Sequence, residues 1–261
     1  MGRFGPDIGD SAAAPQRSRR PFGIPGNRTS EFECPVIGWG GPWTRPFHFN
    51  DFLASAAHTA ANAGIGSPDV FRDSSPVGTP TFAQRADIAN GVFRATLDAT
   101  SEIQVAGVDW ADQRMIPANK GWLFEAFVAL PAALAANQAF FVGLASDFNA
   151  DPDVITHSAW FRVTGAATPS LTLLIEADDN VNDRSTLTTT ALVAATFALL
   201  RIDGTNLDAV KFFVNDQLLG NLNVAGMDGT TLQPFFAIRK STGTTTPTAD
   251  IDFWNISWDR F

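Results

Sequence analysis

The residues best suited to chemistry lie in an acidic stretch in the second half of the chain. Asp147, Asn149, Asp151 and Asp153 place an oxygen-bearing side chain at every second position, as in the first half of an EF-hand calcium loop. That loop also needs glycine at its sixth position and glutamate at its twelfth, where this chain has proline and serine. The pattern predicts a solvated acidic loop, with a looser calcium site as the alternative. The stretch from Glu176 to Asn180 has the same two interpretations.

Residues for other kinds of site do not occur in the required combinations. His48, His58 and His157 share no spacing typical of metal ligands, and Cys34 is the only cysteine, so neither a zinc site nor an intrachain disulfide is predicted. The sequence contains no Gly-x-Ser-x-Gly elbow and no Walker loop. We therefore expect no catalytic residue and no cofactor, which means that the protein is not expected to be an enzyme.

Composition limits the classes of protein that remain. The chain has 261 residues, of which 45% are hydrophobic and 17% are charged, against roughly 25% charged in average soluble domains. This favours a large core and excludes a disordered chain. The net charge of -9 argues against a nucleic-acid binder with a basic surface. No apolar run approaches the roughly 20 residues of a membrane span, so no membrane partner is expected.

The elements that must position these residues are predicted to be strands. From about residue 91 onwards, apolar and polar residues alternate in short runs, as in Val210, Phe212 and Val214. Turn residues such as Asp203-Gly204 separate roughly ten to twelve such runs, and no long amphipathic helix lies between them. The pattern predicts an all-β antiparallel sandwich over residues 85–261. Its tryptophans are predicted to pack in the core, namely Trp122, Trp160 and Trp254.

The N-terminal residues 1–50 differ in kind. Glycine and proline occupy 15 of these 50 positions, and the segment has six arginines but no lysine. Such a composition favours an extended arm, because proline lacks a backbone donor and glycine resists regular structure. Residues 51–84 are predicted to form a short helix from Asp51 to Ala61, capped by Asn50, and an irregular connection to the sandwich.

The region from Leu200 to Gly220 resembles a known family. Leu200-Arg201-Ile202-Asp203, followed by Ala209 to Gly220 with its Asn215-Asp216 turn, resembles the paired hairpin of concanavalin A-like sandwiches, which include lectins and laminin-G-like domains. Residues 121–131 and 140–145 are similar to the neighbouring strands of that family. The resemblance covers roughly residues 85–261 and implies a lectin-like jelly-roll sandwich. This fold carries lectins, glycosidases and virion proteins alike, so it does not define function.

Glycosidases of this fold need two carboxylates that flank the cleaved bond. Laminarinase-like members of the family have a Glu-x-Asp-x-x-Glu strand, and that full spacing does not occur in this chain. Glu102 is followed by Gln104 where a second acid would stand, and Glu125 is the one acid of an apolar run. Glu125 is therefore interpreted as a hydrogen-bonded or rim residue of a sheet, and no hydrolysis is expected.

The combination of an arginine-rich arm with such a sandwich resembles head decoration proteins of tailed bacteriophages. The resemblance implies a structural virion protein on the capsid surface, assembled in the bacterial cytoplasm, with capsid subunits and other copies of itself as partners. The expected interface residues share an apolar or arginine side chain within the arm. They are Phe4, Arg17, Arg19, Arg20, Phe22, Phe32, Trp39 and Trp43. The alternative is a carbohydrate-binding module or a receptor-binding fibre domain, which an exposed tryptophan beside an acidic loop would favour.

Overall fold

The computed structural model describes residues 47–50, 52, 69–85 and 91–259, and these residues form two antiparallel eight-stranded sheets. Sheet A contains β1 (Phe47–Asn50), β3 (Thr81–Gln84), β4 (Phe93–Thr96), β7 (Trp122–Ala129), β12 (Ala198–Gly204), β13 (Val210–Val214), β14 (Gln217–Leu222) and β16 (Thr248–Trp258). Sheet B contains β2 (Val70–Asp73), β5 (Gln104–Asp109), β6 (Ile116–Pro117), β8 (Gln138–Ala145), β9 (His157–Thr164), β10 (Thr172–Asp179), β11 (Asp183–Ala191) and β15 (Thr231–Lys240). The prediction of an all-β antiparallel sandwich is confirmed.

The strand order places long strands at the centre of each sheet. Sheet A runs β14-β13-β12-β7-β16-β4-β3, and sheet B runs β11-β10-β9-β8-β15-β5-β2. Strand β1 pairs with the last part of β16, where Phe47 faces Ser257, and β6 pairs with the start of β15. The helical residues that are described form only short 3-10 turns, so none makes a helix that is long and apolar enough to span a membrane.

Alternation along the strands produces the core between the sheets. On β7, Trp122, Phe124 and Val128 are buried against sheet B, because successive side chains point to opposite faces. Phe140 and Val142 on β8 face them from the other sheet. Trp122 and Trp254 belong to this core, as the alternation predicted. Burial of these large side chains supplies the main driving force for folding.

A second apolar cluster lies on the outer face of sheet B. Phe141 and Trp160 project away from the inter-sheet core and pack with Phe235, with ring centroids 5.2–6.4 Å apart. Residues 146–156, called here the covering loop, fold over this face and add Ile155 and the half-buried Phe148. Trp160 is thus buried as predicted, but under a loop rather than between the sheets.

The hairpin that carries the family resemblance has the predicted turn. Strands β13 and β14 are joined at Asn215 and Asp216, whose φ angles are 48° and 67°. Positive φ at both central residues is typical of a type I′ turn, whose twist matches that of the strands. Asp216 occupies the position where glycine is commoner, so the turn is formed without the usual glycine.

Strands upstream of residue 85 differ from the sequence prediction. Strands β1, β2 and β3 belong to the two sheets, although the pattern predicted an arm and an irregular connection there. Each has only four residues, which is too short to show periodicity. Asn50 ends β1, and its side-chain oxygen accepts a hydrogen bond from the backbone N–H of Phe52 at 2.8 Å. Phe52 has a φ of 51° and is not helical, so the predicted helix is wrong at this residue. The remainder of the proposed arm and helix lies outside the described residues.

Candidate functional site

Loops from both sheets meet at one end of the sandwich. The pairs Trp122–Gly204 in sheet A and Ala145–Gln233 in sheet B mark this end. The connection between β14 and β15 crosses from one sheet to the other here. It is tied to the β10–β11 turn by the backbone N–H of Gly226, which donates to Asp179 at 3.3 Å. Loops held by a rigid scaffold are where binding sites commonly form.

Two adjacent polar clefts lie between these loops. The smaller cleft has a volume of about 340 Å³ and is bordered by Asn119, Thr205, Asn206, Asp208 and Asp228, among others. The larger cleft has a volume of about 440 Å³. It is lined by Arg114, Ser146, Asp147, Asn149, Val154, Ile155, Thr156, His157, Gly229, Thr230 and Thr231.

The larger cleft combines several kinds of hydrogen-bonding group. His157 Nδ1 lies 3.1 Å from the hydroxyl oxygen of Thr156, and Arg114 lies 3.9 Å from the carboxylate of Asp147. The side-chain oxygen of Asn149 accepts a hydrogen bond from a backbone N–H of the covering loop. Val154 adds an exposed apolar surface to the same wall. The cleft therefore presents donors, acceptors and an apolar face together.

The covering loop is held on sheet B by arginines. Arg162 on β9 donates to Asp153 at 2.6 Å, and Arg239 on β15 lies 3.1 Å from Asp151. These are two of the four residues that the sequence marked as calcium candidates. All four candidates lie in this one loop, but guanidinium groups supply the opposite charge at its three aspartates, because Arg114 also lies 3.9 Å from Asp147. Within the described ranges, no group of three or more His, Cys, Asp or Glu residues could hold a metal ion.

Glu176 lies beneath the covering loop rather than in a solvated acidic stretch. It is 7% exposed, accepts a hydrogen bond from the indole N–H of Trp160 at 3.0 Å and pairs with Arg162 at 3.1 Å. Burial raises the pKa of Glu176, although the charge of Arg162 opposes this. Burial also lowers the pKa of Arg162, but the charges of Glu176 and Asp153 outweigh it and raise the pKa overall.

A second ionic group lies on the same face, nearer the other edge of sheet B. Arg72 on β2 donates to the buried Asp109 at 3.1 Å and to Asp112 at 2.7 Å. Burial raises the pKa of Asp109 to about 6 despite this pairing. Burial also acts on Asp112, but the hydrogen bond and charge of Arg72 outweigh it and lower the pKa. The sequence pattern did not predict this group, because Arg72 lies in a different segment from Asp109 and Asp112 and meets them only in the folded sheet.

The other candidate residues do not line the clefts. Glu125 on β7 accepts a hydrogen bond from Asn255 at 3.3 Å and lies 3.9 Å from Arg201, so its interpretation as a hydrogen-bonded sheet residue is confirmed. Of the described tryptophans, only Trp258 is partly exposed. The eight interface residues predicted in the arm, Phe4 to Trp43, lie outside the described residues, as does His58.

Comparisons with known proteins define the class of fold. No protein-family model matches the chain, and no curated protein matches it. Among solved structures, a protein of unknown function from Shewanella oneidensis MR-1 is similar with a TM-score of 0.53 and 13% identity, covering 90% of this chain and 96% of that one. A structure reported for endo-acting O-glycanases of the human gut microbiota has a TM-score of 0.54 and 6% identity, covering 80% and 98%.

A third similar structure is the carbohydrate recognition domain of Emp46p. Its TM-score is 0.51 and its identity 9%, and the match covers 79% of this chain and 94% of that domain. At such low identity these likenesses define the fold alone. The chain is therefore a lectin-like β-sandwich, as the resemblance of its β12–β14 region implied.

Proposed function

We propose that this protein is a carbohydrate-binding domain and that the larger cleft is its binding site. The observation that carries the proposal is the convergence of charged, amide and hydroxyl groups with an exposed apolar side chain in one cleft of about 440 Å³. Small-molecule sites commonly occupy about 300–1,000 Å³. Similarity to a carbohydrate recognition domain and to O-glycanases supports the proposal at the level of fold.

The chemistry of the cleft suits a sugar ring. Sugar hydroxyls both donate and accept hydrogen bonds, so they need partners of both kinds. Arg114 supplies donors, Asp147 supplies acceptors, and the imidazole of His157 adds a further polar group. The apolar C–H face of the ring would lie against Val154. The cleft and its loops are built on strand ends, which fixes the geometry of these groups before a ligand arrives.

Binding without hydrolysis is the expected outcome. Glu176 and Asp178 have the spacing of the first two acids in the laminarinase-like pattern, but Val181 stands at the third position. Glu176 is buried and paired with Arg162, so a sugar cannot reach it unless the covering loop moves. Glu125 projects from sheet A, away from the clefts. We therefore propose a binding role rather than a glycosidase.

A glycan array followed by isothermal titration with the best ligand tests this proposal. Arg114→Ala and His157→Ala should each weaken binding by about 10- to 100-fold, because a hydrogen bond to a charged or polar ligand partner contributes about 1.5–3 kcal/mol. Asn119→Ala in the smaller cleft is the matched control and should leave affinity unchanged. Loss of binding in the control alone would move the site to the smaller cleft. No ligand on the array would refute the proposal.

The capsid role is the second candidate, and it depends on the sequence of residues 1–50. None of the similar structures described above is named as a virion protein, so the comparisons give this role no support. Its test is co-sedimentation with phage particles that lack the protein. The full chain should attach, and a chain without residues 1–45 should not. Equal attachment of both would exclude the arm as an anchor.

A further inference from the structure

The outer face of sheet A carries a row of aromatic side chains. Because successive side chains of a strand point to opposite faces, Phe49, Phe127 and Phe253 point away from the core that their neighbours fill. Their ring centroids lie 5.8 Å apart from β1 to β16 and again from β16 to β7. Phe197, which directly precedes β12, continues the row at 5.1 Å from Phe127. These four rings, called here the aromatic row, therefore cross the sheet from β1 to the start of β12.

The aromatic row keeps part of its surface exposed. Phe49 is 36% exposed, and the other three rings are half-buried. Leu123 and Leu199 add half-buried apolar side chains to the same face. On the outer face of sheet B, by contrast, the covering loop buries the comparable aromatic cluster. A concentration of apolar side chains that stay partly exposed is typical of an interaction surface.

The described chain enters sheet A beside this row. Phe47 begins β1, and Phe49, two residues further on, is the first ring of the row. The residues that precede Phe47 therefore join the fold on the β1 side of the row. A strand spacing of about 4.8 Å makes the row about 14 Å wide from β1 to β12. Residues 33–46 span at most about 46–50 Å when extended, so they are long enough to cross it.

The sequence directly before β1 suits such a surface. Residues 33–46 contain four large apolar side chains but only two charged ones. The apolar residues are Val36, Ile37, Trp39 and Trp43. Three glycines in this segment allow close approach and tight turns, and three prolines lack the backbone N–H that would otherwise need a partner. Packing of these apolar side chains on an apolar face removes both surfaces from water, which is favourable.

We propose that residues 33–46 pack across the aromatic row of their own chain, with Trp39 and Trp43 against Phe127 and Phe253. A row of rings favours this occupant, because aromatic pairs contribute beyond the area that they bury. The covalent connection to β1 favours the same chain over a second copy. A short tether gives a high effective concentration, whereas two separate chains lose translational and rotational freedom when they associate.

A spin label on Cys34, the only cysteine, tests the position of this segment in the full chain. Amides close to the label lose intensity in the nuclear magnetic resonance spectrum. The amides of Phe127 and Leu199 should lose most of their intensity. Those of Phe141 and Trp160 should lose much less, because sheet B lies about 10 Å behind sheet A.

A mixed sample distinguishes the chain's own segment from that of a second copy. Isotope-labelled protein without the spin label is mixed with spin-labelled protein without the isotope. The amides of sheet A should keep their intensity in this mixture, because the contact lies within one chain. Loss of intensity in the mixture would identify a second copy as the occupant and overturn the proposal. So would a label on Cys34 that weakens only sheet B or neither sheet.

Fluorescence of the dye ANS measures exposure of the aromatic row independently. The double variant Trp39→Ser/Trp43→Ser should raise ANS fluorescence about threefold over the wild type, because the dye binds exposed apolar surface. Phe4→Ser/Phe22→Ser is the matched control, since it removes two aromatic side chains upstream of residues 33–46, and it should leave the fluorescence unchanged. Slow hydrogen exchange of the β8 amides in every variant shows that the sandwich stays folded. Equal fluorescence of the wild type and the tryptophan variant, or an equal rise in the control, would overturn the proposal.

Discussion

Replacing Arg162 with methionine tests whether the ionic contacts beneath the covering loop support the fold. Arg162 pairs with Glu176 and Asp153, and its guanidinium lies 5.0 Å from the ring centre of Phe141. Methionine keeps an apolar side chain over that ring but removes the charge. Glu176 would then keep only the indole N–H of Trp160 as a hydrogen-bond partner among those the structure gives it.

The expected cost follows from burial. Removing one member of a buried ion pair costs about 3–5 kcal/mol, because the other charge is left uncompensated. Asp153 is much more exposed than Glu176, so its lost contact should add less than about 1 kcal/mol. Since Glu176 is not wholly enclosed, we expect Arg162→Met to lower the free energy of unfolding by about 3 kcal/mol at neutral pH.

The penalty should depend on pH in a defined direction. Without Arg162, only the hydrogen bond from Trp160 opposes the effect of burial on Glu176, so the pKa of Glu176 rises further in the folded state. A carboxyl whose folded pKa lies above its unfolded value destabilises the fold above that folded pKa. This penalty disappears as the pH falls below the unfolded pKa, where the group is neutral in both states. The cost of Arg162→Met should therefore be largest at neutral pH and shrink towards about pH 4.

Urea denaturation at both pH values measures these changes, with Glu176→Gln and the double variant included. Glu176→Gln should recover at least half of the loss caused by Arg162→Met, because the uncompensated charge is removed with it. Arg201→Met is the matched control and should cost less than about 1 kcal/mol, because the short contact of Arg201 is with Asp216, which is 72% exposed, and Glu125 lies 3.9 Å away with Asn255 as another partner. A penalty that is the same at both pH values, or no recovery in the double variant, would refute the reasoning.

Three further outcomes are expected. A Cβ at Gly204 would lie 2.1 Å from the buried indole of Trp122, so Gly204→Ala should lower the free energy of unfolding by about 1–3 kcal/mol in urea denaturation. Burial raises the pKa of Asp109 to about 6. The free energy of unfolding of the wild type should therefore fall as the pH rises from about 4 to 6, because Asp109 becomes charged in a buried position. Asp109→Asn lacks this carboxyl, so its free energy of unfolding should increase by about 3 kcal/mol relative to that of the wild type between about pH 4 and 6; unfolding of both proteins at the two pH values measures this change. Calcium should leave the Tm of the wild type unchanged, because arginines already pair with Asp151 and Asp153; a Tm that rises with calcium and falls with chelator would contradict this.

The longer strands that have a buried face could be predicted from sequence, but β11 and the four-residue strands β1, β2 and β3 could not. Strand β7 alternates buried and half-buried residues along its length, which is the signal that period-two analysis detects. In β11 every residue is exposed or half-buried, so polar residues occupy both sets of positions. An edge strand of this kind is defined by backbone pairing with β10, which leaves no pattern in side-chain polarity.

The candidate site was predictable only in part. The acidic stretch of the covering loop could be read from the spacing of its carboxylates, and the structure does place these residues beside the larger cleft. Their partners could not be read, because Arg162 and Arg239 stand on strands β9 and β15 and meet the loop only when it folds over sheet B. His157 likewise becomes part of the cleft because it follows the β8–β9 connection, and no local sequence motif predicts this position.

The place where β1 joins sheet A has a mechanical consequence. Phe47 begins β1 and faces Ser257 near the end of β16, so the first and last parts of the described chain lie side by side. Tension applied between them would act across the end of the β1–β16 ladder rather than along it. Hydrogen bonds loaded in this way break one after another, whereas strands pulled lengthwise past each other must break many bonds together. Strand β1 would therefore peel away at low force, while β8 and β15 at the centre of sheet B would bear load only later.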